Sequence, residues 1–283
     1  MKIIDCPRDA MQGIDKFIHT STKIRYINQL LKVGFDTIDF GSFVSPKAIP
    51  QLKDTAEVVN GLDLSGTTSR LLAIVANTRG AQQASSFQSI TYLGFPMSIS
   101  ETFQVRNTNK TISEALNTLV EIKDICIKTN KKLVTYISMG FGNPYGDPYA
   151  PELVGQFVDI LLTLGSDVIS LADTIGISTP KNIHELFTSL TSSYPMAEIG
   201  IHLHSSPQTR YEKIEAAYKA GCKRIDGALK GFGGCPMAND DLVGNLPTED
   251  ILSFVQSKQG QSLVNDVELK KALVLAADVF SAG

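Results

Sequence analysis

The chain has little of what would mark a membrane, nucleic-acid-binding or secreted protein. No apolar run approaches the roughly 20 residues that a bilayer span needs. No block of like charge occurs: 26 basic residues stand against 29 acidic ones, a formal net charge of -3, which leaves no electrostatic footprint for nucleic acid or a membrane surface. Small molecules are therefore the expected partners. Cysteine is sparse, with only Cys6, Cys126, Cys222 and Cys235, and none forms a Cys-x-x-Cys pair. Together with the lack of a signal-peptide pattern, this leads us to expect a reduced, cytoplasmic protein. Neither a Gly-x-Gly-x-x-Gly turn nor a Walker-type loop is present, so no dinucleotide- or phosphate-cradling loop can be assigned. Histidine is scarce as well. Of four, two stand together in His202-Leu203-His204.

With 43% hydrophobic content in 283 residues, the chain can bury a large core. Short β-branched apolar runs at 2–6, 37–40, 70–75, 89–93, 133–138, 167–171, 198–203 and 224–228 predict strands, and each is followed by an amphipathic stretch. Several helices carry start signals: Thr20 and Ser21, the cap sequence Thr111-Ile112-Ser113-Glu114, and Pro151 and Pro180 in first turns. Gly34, Gly165 and Gly221 stand where helices should stop. Eight parallel βα units in about 260 residues fit one (β/α)8 TIM barrel better than a doubly wound sheet. The expected organisation is a single catalytic domain over 1–283, with an additional C-terminal helix at about 266–281 packed outside the eighth unit.

Active groups of this fold gather at the C-terminal ends of the strands, and the unusual residues of this chain fall there. Arg8 and Asp9 follow the first strand, Asp39 and Ser42 the second, and 98–101 the fourth. Ser170 and Asp173 follow the sixth, His202 and His204 end the seventh, and a glycine-rich segment ending in Cys235 follows the eighth. In His-x-His both side chains leave a strand on one face, about 6.5 Å apart along the chain, a spacing at which both can bind one cation. An Arg-Asp pair alone usually reads as a surface ion pair, but its coincidence with His-x-His points to a metal-centred site. The Gly/Pro/Tyr segment 140–149 is long for a βα connection and reads as a lid or binding loop. His19 and His184 read as surface or packing residues, Cys6 as a small buried hydrophobe, and Cys126 and Cys222 as structural.

Six motifs in order resemble the 3-hydroxy-3-methylglutaryl-CoA lyase family. They are Pro7-Arg8-Asp9-x-x-Gln12, Ser42-Phe43-Val44-Ser45-Pro46-Lys47, Asp173-Thr174-Ile175-Gly176, His202-x-His204, Gly233-Gly234-Cys235-Pro236, and Gly244-Asn245-Leu246-x-Thr248-Glu249-Asp250. The resemblance implies a retro-Claisen cleavage of 3-hydroxy-3-methylglutaryl-CoA to acetyl-CoA and acetoacetate on a TIM barrel, with Mg2+ or Mn2+ required. It implies Asp9, His202, His204 and the Asn245 side-chain oxygen as metal ligands. Two imidazoles with oxygen ligands also suit Zn2+ or Fe2+. Arg8 would face the thioester oxygen and Cys235 would move a proton at C2, while His202 and Asp39 are both candidate bases for the hydroxyl. Gln12, Ser42, Ser170, Asp173 and Glu249 fall on matching positions and would shape the pocket or orient ligands.

Three departures are visible. Asp39 stands where lyases of this family carry glutamate, Ala10 replaces a glycine, and the segment from Cys235 to Asn245 is one residue longer. They keep a related reaction open: an aldolase or Claisen-type synthase acting on another CoA thioester or a 2-oxo acid, or a non-catalytic metal-binding barrel. Apolar outer helices, including 272–280, could support a homodimer or pack on the barrel itself.

Overall fold

The computed structural model describes residues 1–234 and 243–280. In chain order the strands are β1 (Lys2–Asp5), β2 (Thr37–Ser42), β3 (Arg70–Ile74), β4 (Ile90–Ser98), β5 (Lys132–Ser138), β6 (Val168–Asp173), β7 (Glu198–Ser205), β8 (Arg224–Gly227) and the short β9 (Gly244–Asn245). The helices are α1 (Pro7–Gln12), α2 (Thr20–Val33), α3 (Thr55–Asn60), α4 (Thr78–Ser85), α5 (Glu101–Thr108), α6 (Ile112–Thr129), α7 (Pro151–Thr163), α8 (Pro180–Ser193), α9 (Arg210–Lys219), α10 (Thr248–Gln259) and α11 (Asp266–Phe280). β1 to β8 pair in parallel, and the β1–β8 and β6–β7 pairings close the sheet into a barrel. β9 adds antiparallel to the end of β7, setting Asn245 opposite His204. Among the described residues no helix is long and apolar enough to cross a membrane.

The period of two along each strand sorts residues between the helix-facing core and the barrel lumen. Leu71, Ala73, Leu93, Phe95, Leu133, Ile137, Ile169, Leu171, Ile201 and Ile225 join the large outer core. Their alternates form a separate inner cluster of Leu72, Ile74, Tyr92, Val134, Tyr136 and Val168. The lumen is lopsided: β3 to β6 wall it with apolar and aromatic side chains. β2, β7 and β8 give it Asp39, His202, Arg224 and Asp226, which are all buried.

Four strands run further than their sequence patterns predict, β7 among them, which continues to Ser205. β2 reaches Ser42 and β6 reaches Asp173, so these two residues end strands rather than follow them, and Asp39 and Ser170 lie inside the same strands. β4 continues five residues past Leu93, through Pro96, a residue that normally ends a central strand. Here the ladder to β3 stops at Gly94, and only β5 pairs alongside Pro96. The N–H that proline lacks has no strand to bond on that side.

The C-terminal helix forms where predicted but packs elsewhere: α11 lies along α2, not only beside the eighth unit. Phe280 meets Tyr26 edge-on at 5.7 Å and stacks on Phe232 at 4.7 Å between ring centroids. Ala272, Ala276, Val279 and Phe280 are thereby buried on their own barrel, which is the packing alternative for 272–280.

A buried carboxyl joins the first strand to α10. Asp5 Oδ1 accepts a hydrogen bond of 2.7 Å from Thr248 Oγ1. Burial pushes this carboxyl from its ordinary 3.8 up to about 7, against the Thr248 bond that lowers it, with Glu249 and Asp39 adding repulsion. Between those two values the folded chain keeps a proton that the unfolded chain has lost. This group's contribution to stability is therefore fully present below about pH 3.8 and is lost as pH rises from there to about 7. Asp5→Asn keeps an acceptor for Thr248 and carries no charge. Melting temperatures should shift in favour of the variant by several degrees between pH 4.5 and pH 8, since one kcal/mol is worth roughly 2–4 °C for a chain of this size. A constant difference across that range would show that Asp5 does not ionise there.

Candidate active site

The site lies at the C-terminal end of the barrel, on its polar side. β1 hands the chain to α1 with Pro7 in the first turn, where its missing N–H costs nothing and its fixed φ suits a helix. That turn projects Arg8, Asp9 and Gln12 over the barrel mouth. Arg8 is the centre of the group. Its Nε and Nη2 donate to Asp39 Oδ2 at 3.0 and 2.6 Å, and its Nη1 donates to Asp9 Oδ1 at 2.8 Å and to Gln12 Oε1 at 3.1 Å. Arg8 is buried, so the two carboxylates raise its pKa further above the ordinary arginine value, against the effect of burial.

Asp9 in turn connects to the other side of the site. Its Oδ2 accepts 2.7 Å from Asn245 Nδ2, which also donates to the Phe232 carbonyl at 2.9 Å. Gly233 makes that approach feasible. Its φ is +93°, and a Cβ there would lie 2.8 Å from both Asn245 Nδ2 and the Asp9 carbonyl, so any other residue would be strained and crowded. His202 and His204, alternate residues of β7, point the same way, with their Nε2 atoms 3.3 Å apart. Asp9, His202 and His204 each offer a ligand atom within 4.8 Å of the others.

The electrostatics separate these groups by role. Burial alone would raise the Asp9 carboxyl, but Arg8, the two imidazoles and the Asn245 amide outweigh it and hold it at about 2. Asp9 is thus ionised throughout the physiological range. Burial and the neighbouring His202 bring His204 down to about 4, so it is neutral there with a free lone pair. Burial works to lower His202, but its hydrogen bond to Asp226 and the charges of Asp226 and Asp9 carry it above the ordinary value. Burial drives Asp39 up to about 6, outweighing Arg8, with Asp9 and Asp226 adding repulsion.

The donor set fits a divalent cation. Two imidazole nitrogens converge at a spacing close to that of adjacent ligands on one ion, about 3 Å for bonds of about 2.1 Å at right angles. The Asn245 Oδ1 is buried with no hydrogen-bond partner among the described residues, and a buried acceptor left unpaired is costly unless something else satisfies it. Asp9 and the two imidazoles thus bring together donors that could hold a divalent cation, with the Asn245 side chain bonded to the same carboxylate.

The other residues singled out from sequence fall in different places. Gln12 reaches the group through Arg8, whereas Ser42 accepts from the Val44 N–H and caps the end of β2. Ser170 is buried midway along β6 with an unpartnered hydroxyl among the described residues. Asp173 is saturated by the Ser178 N–H and hydroxyl and by Lys213 Nζ at 2.9 Å, and it supports the turn after β6. Glu249 accepts from the Lys230 N–H at 2.9 Å, fixing a residue with φ +62° in the loop after β8. Cys235 lies outside the described residues. His19 and His184 are exposed, away from the site.

The loop 140–149 is pinned rather than free. Asp147 accepts from the Ser100 hydroxyl and from the Thr102 N–H and hydroxyl, each of the latter at 2.9 Å, and Asn143 caps the turn inside it. Two buried residues escaped the sequence reading. Lys213 looks like a surface lysine in an amphipathic helix, yet it donates to Asp173, to the Gly176 carbonyl and to the His204 carbonyl. Asp226 bonds His202 Nδ1 at 3.3 Å. An acid inside an apolar strand, alternating with Ile225, was the signal for it.

Comparison with known proteins identifies the family. The HMGL-like family model matches residues 1–279. A hydroxymethylglutaryl-CoA lyase of Bacillus subtilis, YngG, is 34% identical over 271 residues, covering 95% of this chain and 88% of its own. An (R)-citramalyl-CoA lyase of Chloroflexus aurantiacus is 28% identical, covering 99% and 90%. Among solved structures, an HMG-CoA lyase of Acinetobacter baumannii in complex with coenzyme A and 3-methylmalate superposes with a TM-score of 0.91 at 28% identity, covering 99% of this chain and 91% of that one. The chain belongs to the HMGL-like family and is a carbon–carbon lyase.

Proposed function

We propose that the protein cleaves 3-hydroxy-3-methylglutaryl-CoA to acetyl-CoA and acetoacetate, using Mg2+ or Mn2+. The observation that carries this reading is the convergence of Asp9 and two imidazoles, with the Asn245 amide bonded to Asp9 and its Oδ1 unpaired among the described residues, next to an arginine shared between two carboxylates. Asp9, His202, His204 and Asn245 would hold the cation, which when bound supplies Lewis acidity toward the substrate's hydroxyl and carboxylate oxygens. Asp39, with Oδ1 unpaired among the described residues, removes the tertiary hydroxyl proton. As the new C=O forms, the C2–C3 bond breaks and its electron pair passes into the thioester as an enolate. Arg8, fixed by its carboxylates, stabilises that charge. Protonation at C2, assigned to Cys235, gives acetyl-CoA, and the other fragment leaves as acetoacetate.

A second substrate, citramalyl-CoA, is supported by the Chloroflexus relative and by Asp39, whose carboxylate is one methylene shorter than the family's glutamate. Displacements on the order of 1 Å matter at a reacting centre.

The deciding experiment assays metal-stripped protein with each thioester, with and without added Mg2+ or Mn2+. Metal-dependent release of both acetyl-CoA and acetoacetate establishes the first reading; acetyl-CoA with pyruvate establishes the second. Release of no acetyl-CoA from either by folded, metal-loaded protein rejects both.

Two variants examine the roles of the residues. Arg8→Lys keeps a charge but loses the planar fork, and kcat should fall by at least about 100-fold, the scale of losing one oxyanion donor. A rise in KM with kcat unchanged would place Arg8 in substrate binding alone. Asp39 must be ionised to act, so kcat/KM should climb as pH rises through about 6. Asp39→Asn should abolish that limb together with most of the activity. An unchanged limb in the residual activity would assign the base elsewhere.

A further inference from the structure

His202 is at once a proposed metal ligand and a candidate base, and the residue behind it separates the two roles. Its Nδ1 lies 3.3 Å from Asp226 Oδ2, and its Nε2 faces His204 Nε2 at 3.3 Å. Asp226 and His202 are register partners on β8 and β7, so the contact is built on two barrel strands rather than on a loop. The edge of the His202 ring also meets Tyr136 across the lumen, with centroids 6.0 Å apart. Asp226 is 1% exposed, so solvent has little access to compete for it. A carboxylate only accepts, so Nδ1 carries a proton toward Asp226, and when the ring is neutral Nε2 is the nitrogen whose lone pair is turned to the site.

Arg224, the previous inward residue on β8, donates to Glu198 Oε1 at 3.4 Å, and its guanidinium lies 5.6 Å from the Tyr92 ring. Gly200 leaves the space it needs, since a Cβ at that position would come within 3.0 Å of Arg224 Cγ and Cδ.

We propose that Asp226 is a positioning residue: it locks His202 as the Nδ1–H tautomer, commits Nε2 to the metal, and so removes His202 from the role of base. The inference rests on the reading that Asp9, His202, His204 and Asn245 hold a divalent cation. With both ring nitrogens occupied, Asp39 is left as the group that takes the hydroxyl proton.

Mn2+ binding to the metal-stripped full-length protein, read by calorimetry without substrate, tests this separately from the reaction. Asp226→Asn keeps the shape of the side chain, and its Mn2+ affinity should fall by about 10–100-fold, the usual effect of losing such a support. Its circular dichroism should stay as in the wild type. Unchanged affinity in the folded variant would overturn the proposal. So would two bound equivalents in the wild type, one of them lost in Cys6→Ala, because Cys6, His202 and Asp226 also bring ligand atoms within 4.8 Å of one another and Nδ1 would then be a ligand. Nitrogen-15 spectra of wild-type His202 give a check that needs no variant: a proton on Nε2 instead of Nδ1 in the metal-free protein would also overturn it. If wild type and His204→Ala alike bind no Mn2+, the metal reading itself fails, and this proposal with it.

Discussion

The buried guanidinium of Arg8 is the interaction on which the site depends. It belongs to α1, and through Asp39 it ties that helix to β2, while through Asp9 it orients the carboxylate that meets Asn245 and the two imidazoles. A buried charge without partners would cost several kcal/mol, and breaking a buried pair by removing one partner typically costs about 3–5 kcal/mol. Arg8 meets that constraint with four hydrogen bonds to three side chains. The consequence is positional. α1 is only six residues long and could not hold its own orientation, yet it carries three of the site's side chains on a strand-to-helix turn that ionic bonds fix in place.

The barrel supplies the asymmetry that this arrangement needs. One half of the lumen, from β3 to β6, is filled by Leu72, Ile74, Tyr92, Val134, Tyr136 and Val168. The opposite half carries the titratable groups. Charges on a polar wall that faces an apolar one interact through a medium of low dielectric, which strengthens both attraction and repulsion. This is why Asp9 and Asp39, close to the same arginine, move in opposite directions from the ordinary aspartate value. Glycines complete the packing where backbone or large side chains come close: Gly200 beneath Arg224, and Gly233 against Asn245 and the Asp9 carbonyl.

The sequence made much of this legible. Eight β-branched runs became eight barrel strands, the extra C-terminal helix appeared over Asp266–Phe280, and Arg8, Asp9, His202, His204 and Asn245 converged. Strand ends were harder, because Pro96 and Gly94 look like breakers until the ladder on the β3 side is known to have stopped. Side chains that act by being buried were harder still. Lys213 sits in a helix whose pattern says surface, and only the fold brings Asp173 and two carbonyls around its ammonium group. Asp173 itself reads as a pocket residue from its motif, but in the structure its oxygens are spent on Ser178 and Lys213. Spacing along a chain reports which residues share a face; it does not report which of their atoms are already bonded.

That difference bears on how two aspartates at one arginine divide the work. A proposed metal ligand binds without having to give up a proton when it is already ionised, and Asp9, held at about 2 by Arg8, the imidazoles and an amide donor against its burial, is so. A base has to accept a proton and later release it near neutral pH, so its value should sit near the working range rather than far below it. Asp39 lies deeper, loses more hydration, and ends at about 6 even with two hydrogen bonds from Arg8. Both of those bonds go to Oδ2, which leaves Oδ1 as the free oxygen among the described residues. Burial has thus produced a carboxylate of moderate basicity beside the guanidinium that would stabilise the enolate. A glutamate in that place would reach one methylene further, so the shorter side chain sets its carboxylate back toward β2, where Arg8 holds it.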